Sequence, residues 1–342
     1  MRNDHDLAMI LRYENIAWFD NGTVTLLDRR VYPNEVRFVT CSTYQEVAKA
    51  IYDMVTQSYG PFQAACEGMA LAAWSVRTQE EAIQRRVLRE AADCLATARP
   101  TTERKMRVMT DGCLAAAEQA FSEGTEAYRA IKQYSLSFLE DKYERIARIG
   151  HYLAEKIPYQ GTLMTMCYPD CDFGLTLRAL RERNNPVKIF CPETRPYFQG
   201  AKLTASVAYD MGFDVTVITD NMPAWTMHTK GVDVFTTAAD VITVDGHVVN
   251  KVGTLQVALA ARHFQIPYYC TGNPNAVHPT ADDVRIELRN PEEVTHAQGK
   301  RTCKEGVKGY YPAFDITPPE LVTGIVTDRG ILAPTALHTY FS

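Results

Sequence analysis

The pattern of apolar and polar positions changes near residue 155 and divides the chain into two parts. In the first part, apolar runs at 16–19 and 24–27 flank Asp20-Asn21-Gly22. This pattern is typical of a β-hairpin, because Asn and Gly tolerate positive φ. Beyond the hairpin, apolar residues recur every three or four positions, which predicts helices. The predicted helices span residues 44–58, 62–76, 80–98, 102–122 and 126–156.

From about residue 158, short β-rich runs alternate with helical stretches. The predicted strands span residues 162–167, 187–191, 214–219, 232–236, 266–270 and a short run at 286–288. The predicted helices span residues 174–183, 201–211, 223–229 and 251–264. Short apolar strands separated by helices are typical of βαβ crossovers, which build a mostly parallel sheet buried on both faces. We therefore predict an α/β fold with two domains, a β-ribbon with helices at 1–155 and a mostly parallel sheet at 156–342.

Composition excludes several classes of function. The 342 residues include 36 Lys and Arg against 41 Asp and Glu, a formal net charge of −5. We expect no nucleic-acid partner, because that class favours a basic footprint. No segment approaches the ~20 consecutive apolar residues of a membrane helix, and the acidic residues near the N-terminus are unlike a secretory signal. We therefore expect no membrane partner.

The nine cysteines indicate the compartment. Their number is odd, they are scattered along the chain, and no CxxC pair occurs. This pattern is typical of reduced thiols, so the sequence predicts a cytoplasmic protein.

The motifs of several cofactor-dependent enzymes do not occur in the sequence. It contains no GxxxxGK[ST], no GxGxxG after a predicted strand, no HExxH or HxH and no GxSxG. We therefore predict no cofactor and no metal. The remaining interpretation is a reaction that uses an acid, a thiol and anion-binding groups.

Residues that follow the predicted strands are the candidates for chemistry, because ligands of α/β sheets bind beyond the carboxyl ends of the strands. Cys167 ends the first strand. One interpretation is that its thiol acts as a base or nucleophile whose pKa is lowered by a helix N-terminus. The other is that Cys167 is a buried core side chain. Glu193-Thr194-Arg195 follows the second strand. It is either a binding site for an oxyanion or a sugar hydroxyl, or a structural network of caps and salt bridges. Asp220 follows the third, where the simpler interpretation is a helix N-cap.

Two further candidates follow the fourth predicted strand. Asp240 lies directly after it, in TTAADV. Asn250-Lys251 opens NKVGT, where the next helix is predicted to begin. A lysine beside free N–H groups at a helix start suits a phosphate, and the simpler alternative is a solvated lysine.

Several segments together resemble a known family. They are ETRPYFQGAKLTA, MGFDVTVITDNM, NKVGT, IPYYCTG, RNPEEVT and YYPAFDITPPELVTGIVTDRGI, in this order. They resemble the methylthioribose-1-phosphate isomerases. That superfamily also holds ribose-1,5-bisphosphate isomerases and the regulatory subunits of the guanine-nucleotide exchange factor of translation initiation. The resemblance is strong over residues 158–335 and weaker before, where TARPT matches the family's S-R-P-T.

The resemblance implies a fold and a set of site residues. The second domain would be Rossmann-like, and the protein would be a homodimer through it. The family's catalytic cysteine and aspartate fall on Cys167 and Asp240. The implied substrate contacts are Arg99, Gln199, Asn250 and Lys251, together with Ser58, Tyr59 and Gly60 in QSYGPF, which matches the family's phosphate-contacting R-G-A-P.

The chain departs from the family pattern around these residues. The arginine of R-G-A-P is absent from QSYGPF, and Asn and Gly after the cysteine are replaced by Tyr168 and Pro169. The Arg after the aspartate is replaced by Val241. The loss of two guanidiniums removes bidentate donors suited to phosphate. This change favours a substrate with a differently placed phosphate, or with none.

The expected function is that of an aldose–ketose isomerase acting on a pentose 1-phosphate or its 5-deoxy or 5-methylthio derivative. Asp240 would be the acid, kept protonated by a pocket of Ala238, Ala239 and Val241, and Cys167 would shuttle the proton. One alternative is an isomerase of an unphosphorylated or differently phosphorylated sugar. Another is a non-catalytic, exchange-factor-like subunit that regulates or senses a sugar or nucleotide.

Overall fold

The computed structural model describes residues 2–99 and 103–342 of the chain. The chain divides into two compact units, Met1–Glu144 and Arg145–Ser342. This division lies within the helix Ala127–Ala154, whereas the sequence predicts the boundary at 155/156. In the described ranges, no helix combines the length and the apolar character needed to cross a bilayer.

The first unit combines a small sheet with helices. Its strands are β1 Trp18–Asp20, β2 Thr23–Leu27 and β3 Phe38–Cys41. Its helices are α1 Tyr13–Ile16, α2 Tyr44–Tyr52, α3 Gly60–Ser75, α4 Glu81–Ala96, α5 Glu103–Glu123 and α6 Ala127–Ala154. The five predicted helices are confirmed, although the first ends at Tyr52 rather than Ser58. Thr102, where the fourth was predicted to begin, lies outside the described residues.

The predicted hairpin is confirmed. Strands β1 and β2 are antiparallel, with Asp20 opposite Thr23. Asn21 and Gly22 form the loop between them with φ of 43° and 85°, which is the backbone these two residue types accept most readily. A Cβ on Gly22 would also lie 2.7 Å from Nε1 of Trp74. The sequence did not predict β3, which at four residues is too short to show a period.

Helix α3 lies at the centre of the first unit. Most of its side chains are buried, and small or apolar residues cover all its faces rather than one stripe. A helix of this kind needs neighbours on every side, and α2, α4, α5 and the β1–β2 hairpin supply them. The buried cluster around it includes Val47, Met69, Leu95 and Cys113.

The second unit, all of whose residues are described, contains a seven-stranded sheet. The strands are β4 Thr162–Thr165, β5 Lys188–Pro192, β6 Asp214–Ile218, β7 Val234–Ala238, β10 Tyr268–Thr271, β14 Gly324–Thr327 and β15 Gly330–Leu332. Their order is β15-β14-β10-β7-β4-β5-β6. Neighbouring strands are parallel except that β15 is antiparallel to β14. The predicted α/β class with a mostly parallel sheet is confirmed.

Helices connect these strands, and a smaller antiparallel sheet lies in the same unit. The helices are α7 Cys171–Glu182, α8 Ala205–Asp210, α9 Pro223–Lys230, α10 Thr254–His263 and the single turn α11 Glu292–Thr295. The smaller sheet contains β8 Val241–Ile242, β9 Val248–Lys251 and β13 Phe314–Thr317, and β11 His296–Ala297 pairs with β12 Lys300–Arg301.

The strand order reverses between β4 and β7, and this reversal locates the site. From β4 the chain continues outward through β5 and β6, and then returns to the other side of β4 as β7. Ligands of open α/β sheets bind at such a switch point, beyond the carboxyl ends of the strands. Cys167 follows β4 and Asp240 follows β7, so the two predicted catalytic residues lie after the strands that flank the switch point.

Two predictions about the second unit were wrong, and seven short strands were missed: β8, β9 and β11 to β15. Asn250 and Lys251 end β9, and α10 begins only at Thr254. No strand forms at 286–288, where Leu288 makes an isolated bridge to Pro312. These seven strands are two to four residues long. Such short segments carry too few positions to show a period.

Candidate active site

Cys167 lies two residues beyond β4 with a φ of 62°, which is unusual for a residue other than glycine. Its amide donates to Oγ1 of Thr194 at 3.1 Å, and its carbonyl oxygen accepts a hydrogen bond from the Thr204 hydroxyl. Thr194 also has a φ of 62°. Left-handed backbone of this kind costs roughly 1–3 kcal/mol and persists where its surroundings over-determine it. These bonds therefore fix the loop after β4 against the loop after β5.

Burial raises the pKa of the Cys167 thiol to about 11, and the negative charge of Asp240 adds to this. The positive charges of Lys251 and Arg289 and the Tyr168 amide act in the opposite direction without cancelling the effect. Cys167 is therefore a neutral thiol near pH 7, and the expected activation by a helix N-terminus is absent. Helix α7 begins only at Cys171.

Asp240 is exposed to solvent, so the expected enclosure of its carboxyl group by apolar side chains is absent. Ala238, Ala239 and Val241 around it are themselves only half-buried. Its backbone amide donates to the carbonyl oxygen of Val249 at 2.9 Å, which fixes the residue beside β9. The charge of Asp240 influences the pKa of both Cys167 and Lys251, so these groups share one electrostatic environment.

Lys251 is buried, with 3 % of its surface exposed, so the solvated alternative was wrong. Its Nζ donates to the hydroxyl of Tyr311 at 3.0 Å and lies 5.2–5.5 Å from the ring centroids of Tyr197, Tyr311 and Phe314. Burial lowers its pKa, while the carboxylates of Asp240 and Glu293 act against this effect. No carboxylate of the described residues forms an ion pair with it.

Asp315 occupies the N-terminus of α10, and the sequence gave it no role. Its carboxylate accepts hydrogen bonds from the amides of Gly253 at 2.6 Å and Leu255 at 3.2 Å. The free N–H groups expected beside Lys251 are therefore already occupied. Burial raises the pKa of Asp315 to about 6, although these amide donors favour its ionised form. Asp315 lies opposite Asn250 in the β9–β13 ladder, a long-range pairing that no local pattern indicates.

Gln199 and Asn250, both predicted substrate contacts, differ in what their side chains already bind. Asn250 is buried and donates to the Thr254 hydroxyl at 3.0 Å, so part of its amide holds the start of α10. Oε1 of Gln199 is buried and accepts no hydrogen bond from the described residues. An acceptor in that state costs free energy until a donor such as a sugar hydroxyl reaches it.

A π-helical turn, Gly200–Thr204, follows Gln199 and depends on a glycine. A Cβ on Gly200 would lie 1.9 Å from the carbonyl oxygen of Pro192, at the end of β5. Turns of this type occur often at functional sites. Here the close approach holds Gln199 at the carboxyl end of β5.

Glu193-Thr194-Arg195 forms the network of caps given as its simpler interpretation. The carboxylate of Asp220 accepts from the amides of Thr194 and Arg195, both at 2.7 Å, so Asp220 caps this loop rather than α9. The Arg195 guanidinium donates to the carbonyl oxygens of Pro196, Val294 and His296. Arg195 therefore serves structure rather than an oxyanion.

A second cation lies near Lys251, and the sequence did not predict it. The Arg289 guanidinium pairs with Glu287 at 3.2 Å and lies 5.7 Å from the ring centroids of Tyr197 and Phe314. Its charge also lowers the pKas of Cys167 and Lys251. Arg289 opens RNPEEVT, a segment that carried the resemblance without a role for any residue. The only sequence feature that could have indicated Arg289 as a site residue is its positive charge within a segment that resembles the family.

The predicted substrate residues of the first unit form two groups. Ser58 is exposed with a φ of 55°, Tyr59 precedes α3, and Gly60 begins it. A Cβ on Gly60 would lie 1.8 Å from Oγ1 of Thr56, so this position requires glycine. Arg99 is half-buried after α4, and the residues that follow it in TARPT lie outside the described ranges. Their role in binding stays a prediction.

The predicted catalytic residues belong to no metal cluster of the described residues, and they do not line a groove found in the second unit. Residues 2–99 and 103–342 contain no group of three or more His, Cys, Asp or Glu side chains arranged to hold a metal ion. A groove of about 580 Å³ in the second unit is lined by Met166, Asp220, Gly253, Tyr311 and Asp315, among others, but not by Cys167 or Asp240.

Comparison with known proteins identifies the family. Residues 61–334 match the model of the initiation factor 2 subunit family. The chain is 33 % identical over 337 residues to the methylthioribose-1-phosphate isomerase of Thermosipho africanus, covering 95 % of this chain and 96 % of that protein.

Solved structures agree with this assignment. The 5-methylthioribose 1-phosphate isomerase of Pyrococcus horikoshii superposes with a TM-score of 0.86 at 29 % identity, over 100 % of this chain and 98 % of that one. The delta subunit of translation initiation factor eIF-2B from A. fulgidus superposes with a TM-score of 0.82 at 31 % identity, over 94 % and 96 %. The resemblance seen in the sequence is thereby confirmed: the chain belongs to the initiation factor 2 subunit family and is similar over nearly its whole length to the methylthioribose-1-phosphate isomerases.

Proposed function

We propose that this chain is an aldose–ketose isomerase that converts a pentose 1-phosphate, or its 5-deoxy or 5-methylthio derivative, to the ketose 1-phosphate. The observation that carries the proposal is the buried ammonium of Lys251. It lacks a carboxylate partner among the described residues and acts electrostatically on the thiol of Cys167. Nearly full-length similarity to proteins named methylthioribose-1-phosphate isomerase supports the reaction class.

The chemistry of such a substrate explains the need for an acid. The phosphate on the anomeric oxygen prevents ring opening by mutarotation, so the ring oxygen must be protonated while the bond between C1 and that oxygen breaks. Hydrogen then moves from C2 to C1, and as the ketone forms the C2 hydroxyl gives its proton to the group that protonated the ring oxygen. The product is an isomer of the substrate, so the balanced reaction needs no oxidant or reductant.

Asp240 and Cys167 are the proposed proton carriers. Asp240 protonates the ring oxygen and recovers a proton from the C2 hydroxyl. Its position beyond β7 supports access to a ligand at the switch point. Cys167 takes part as a neutral thiol, because burial raises its pKa to about 11. A group that keeps its proton at neutral pH suits donation better than abstraction.

Binding of the substrate is proposed for the remaining predicted residues. Lys251 supplies a cation for phosphate, and the unsatisfied Oε1 of Gln199 accepts from a sugar hydroxyl. Asn250, whose side-chain nitrogen donates to Thr254, would use its side-chain oxygen to accept from a sugar hydroxyl. The other proposed contacts are Ser58, Tyr59, Gly60 and Arg99. The chain is proposed to act as a homodimer through its second unit.

A second candidate function is that of a non-catalytic regulatory subunit that senses a sugar or nucleotide. The A. fulgidus protein named as a translation initiation factor subunit, at 31 % identity, favours this alternative. An isomerase of an unphosphorylated or differently phosphorylated sugar is favoured by the absence of an arginine from QSYGPF.

One experiment separates these functions. Purified protein is incubated with ribose 1-phosphate, 5-methylthioribose 1-phosphate or free ribose, and the products are followed by NMR. We expect a ketose from a 1-phosphate. A ketose from free ribose alone would favour the unphosphorylated substrate, and binding without any ketose would favour the regulatory subunit.

A further inference from the structure

Lys142, in α6, is buried without a charged partner. Its exposed fraction is 9 %, and among the described residues neither a carboxylate nor a hydrogen-bond acceptor contacts its ammonium. Its contacts are aromatic, since Nζ lies 3.2 Å from the ring centroid of Tyr59 and 5.9 Å from that of Tyr143. A buried cation without an anion is costly, which makes it a candidate for an anionic ligand.

Lys132, in the same helix, is a lysine with a structural role and serves as a comparison for Lys142. Lys132 also lies over an aromatic ring, 3.3 Å from the ring centroid of Trp18. Its ammonium, however, forms an ion pair at 2.7 Å with the buried carboxylate of Glu67. Lys132 therefore has a counterion within the fold, and Lys142 has none.

Tyr59 connects Lys142 to the start of α3. Its ring stacks on Phe138 with centroids 6.0 Å apart, and it directly precedes the first residue of this 16-residue helix. The first turn offers few donors to a ligand. The amides of Gly60 and Phe62 are bonded to the carbonyl oxygens of Gln57 and Tyr59, and Pro61 has no N–H. An anion at this helix start needs a cationic side chain, and Lys142 is positioned to provide it.

We propose that Lys142 supplies a cation to the phosphate group that the Ser58–Gly60 loop is already expected to contact, with Tyr59 holding the ammonium by its ring face. The inference rests on the proposed function in that the phosphate is part of the sugar-phosphate ligand. The cation of this loop is thus supplied by α6 rather than by the loop itself. Aromatic rings retain a cation by an interaction that leaves its hydrogen-bond donors available to an anion.

The test compares Lys142→Met with Lys105→Met, which removes an exposed lysine of the first unit. Affinity for inorganic phosphate and for ribose 1-phosphate is measured by calorimetry, and KM and kcat are measured separately. We expect the Kd of both ligands to rise about 10- to 100-fold in Lys142→Met, as for a lost charge-assisted contact, and to stay unchanged in Lys105→Met. Lys142→Arg, which keeps the charge, should restore most of the affinity. Lys142→Gln serves as the neutral variant if circular dichroism shows that Lys142→Met does not fold.

The outcomes separate this inference from the proposed function. If ribose 1-phosphate is isomerised and its KM and Kd are the same in the neutral variant and in Lys105→Met, the role of Lys142 is wrong while the isomerase stands. If phosphate binding depends on Lys142 but no sugar phosphate is isomerised, the inference stands and the isomerase does not. Loss of inorganic phosphate binding alone, with ribose 1-phosphate bound normally, would contradict a role in substrate binding.

Discussion

The Nζ atom of Lys251 lies 3.0 Å from the hydroxyl oxygen of Tyr311 and donates a hydrogen bond to it. The contact joins the end of β9 to the segment before β13, and Phe314 in β13 adds its ring to the surroundings of the ammonium. A hydroxyl satisfies one of the three donors of a lysine and leaves its charge uncompensated. Lys251 is therefore oriented by the fold without being neutralised by it.

Replacing Lys251 with Met should weaken binding of a phosphorylated sugar by roughly 10- to 150-fold, the equivalent of about 1.5–3 kcal/mol for a charge-assisted hydrogen bond. The same change should weaken binding of the unphosphorylated sugar much less. Tyr311→Phe is the matched control, because it removes the orienting hydroxyl and keeps the ring and the cation. Calorimetric titration of both ligands against both variants measures the difference. Equal losses for phosphorylated and free sugar would mean that Lys251 orders β9 or binds a hydroxyl.

Cys167 should react slowly with iodoacetamide at pH 7, because burial raises the pKa of its thiol to about 11 and the thiolate is the reactive form. The rate should increase about tenfold for each pH unit below that value. Mass-spectrometric mapping across pH 7 to 10 measures it, with Cys303, which like Cys167 is partly exposed, as the reference in the same sample. Alkylation of Cys167 at pH 7 that is faster than at Cys303, with no increase at higher pH, would show a lowered pKa instead.

Asp315 should titrate near pH 6, which a carbon-detected NMR titration of its carboxyl group can follow. Its pKa is higher in the folded than in the unfolded chain, so the folded state binds this proton more tightly. The contribution of Asp315 to the free energy of unfolding is therefore largest below about pH 4 and decreases as the pH rises towards 6. Asp315→Asn should remove this pH-dependent part, measured by urea unfolding at pH 5 and pH 7.

Asp315→Ala should lower the free energy of unfolding by about 0.5–2 kcal/mol, the usual effect of removing a helix cap, because the amides of Gly253 and Leu255 lose their acceptor. It should also weaken ligand binding, since Asn250 and Lys251 end β9 just before this turn. An alanine variant as stable as the wild type would contradict the capping role.

Sequence periodicity predicts the long elements well and the short ones poorly. Helix α4 and strand β6 fall close to their predicted positions, because each has enough residues to repeat its pattern. The start of α10 was misjudged because Gly253 has a φ of 106° and its amide is capped by Asp315, 62 residues away in the chain. Local pattern contains no information about such a partner.

The candidate site shows the same division. Residues at strand ends, such as Cys167 and Asp240, can be found from the order of strands and from the resemblance. Their surroundings cannot, because the desolvation of the Cys167 thiol and the exposure of Asp240 depend on how distant segments pack. Arg289 and Lys142 were missed for that reason, since each lies over aromatic rings from distant parts of the chain, and the sequence does not show these contacts.

Asp240→Asn should lower turnover by about 100-fold or more, which is the low end of general acid–base contributions. The side chain is exposed, so the free energy of unfolding should change by no more than about 0.5 kcal/mol. Steady-state kinetics and thermal unfolding on the same preparation measure both quantities. Unchanged turnover would exclude Asp240 as the acid.

Isomerisation itself is tested most directly by ¹³C NMR of a pentose 1-phosphate labelled at C1 and C2. We expect the wild-type protein to convert the anomeric CH signal of C1 to a CH₂ signal and to produce a ketone signal at C2. Asp240→Asn should do so at least about 100 times more slowly. If folded wild-type protein binds ribose 1-phosphate and 5-methylthioribose 1-phosphate and leaves both carbon signals unchanged, the chain is not an isomerase of these sugars.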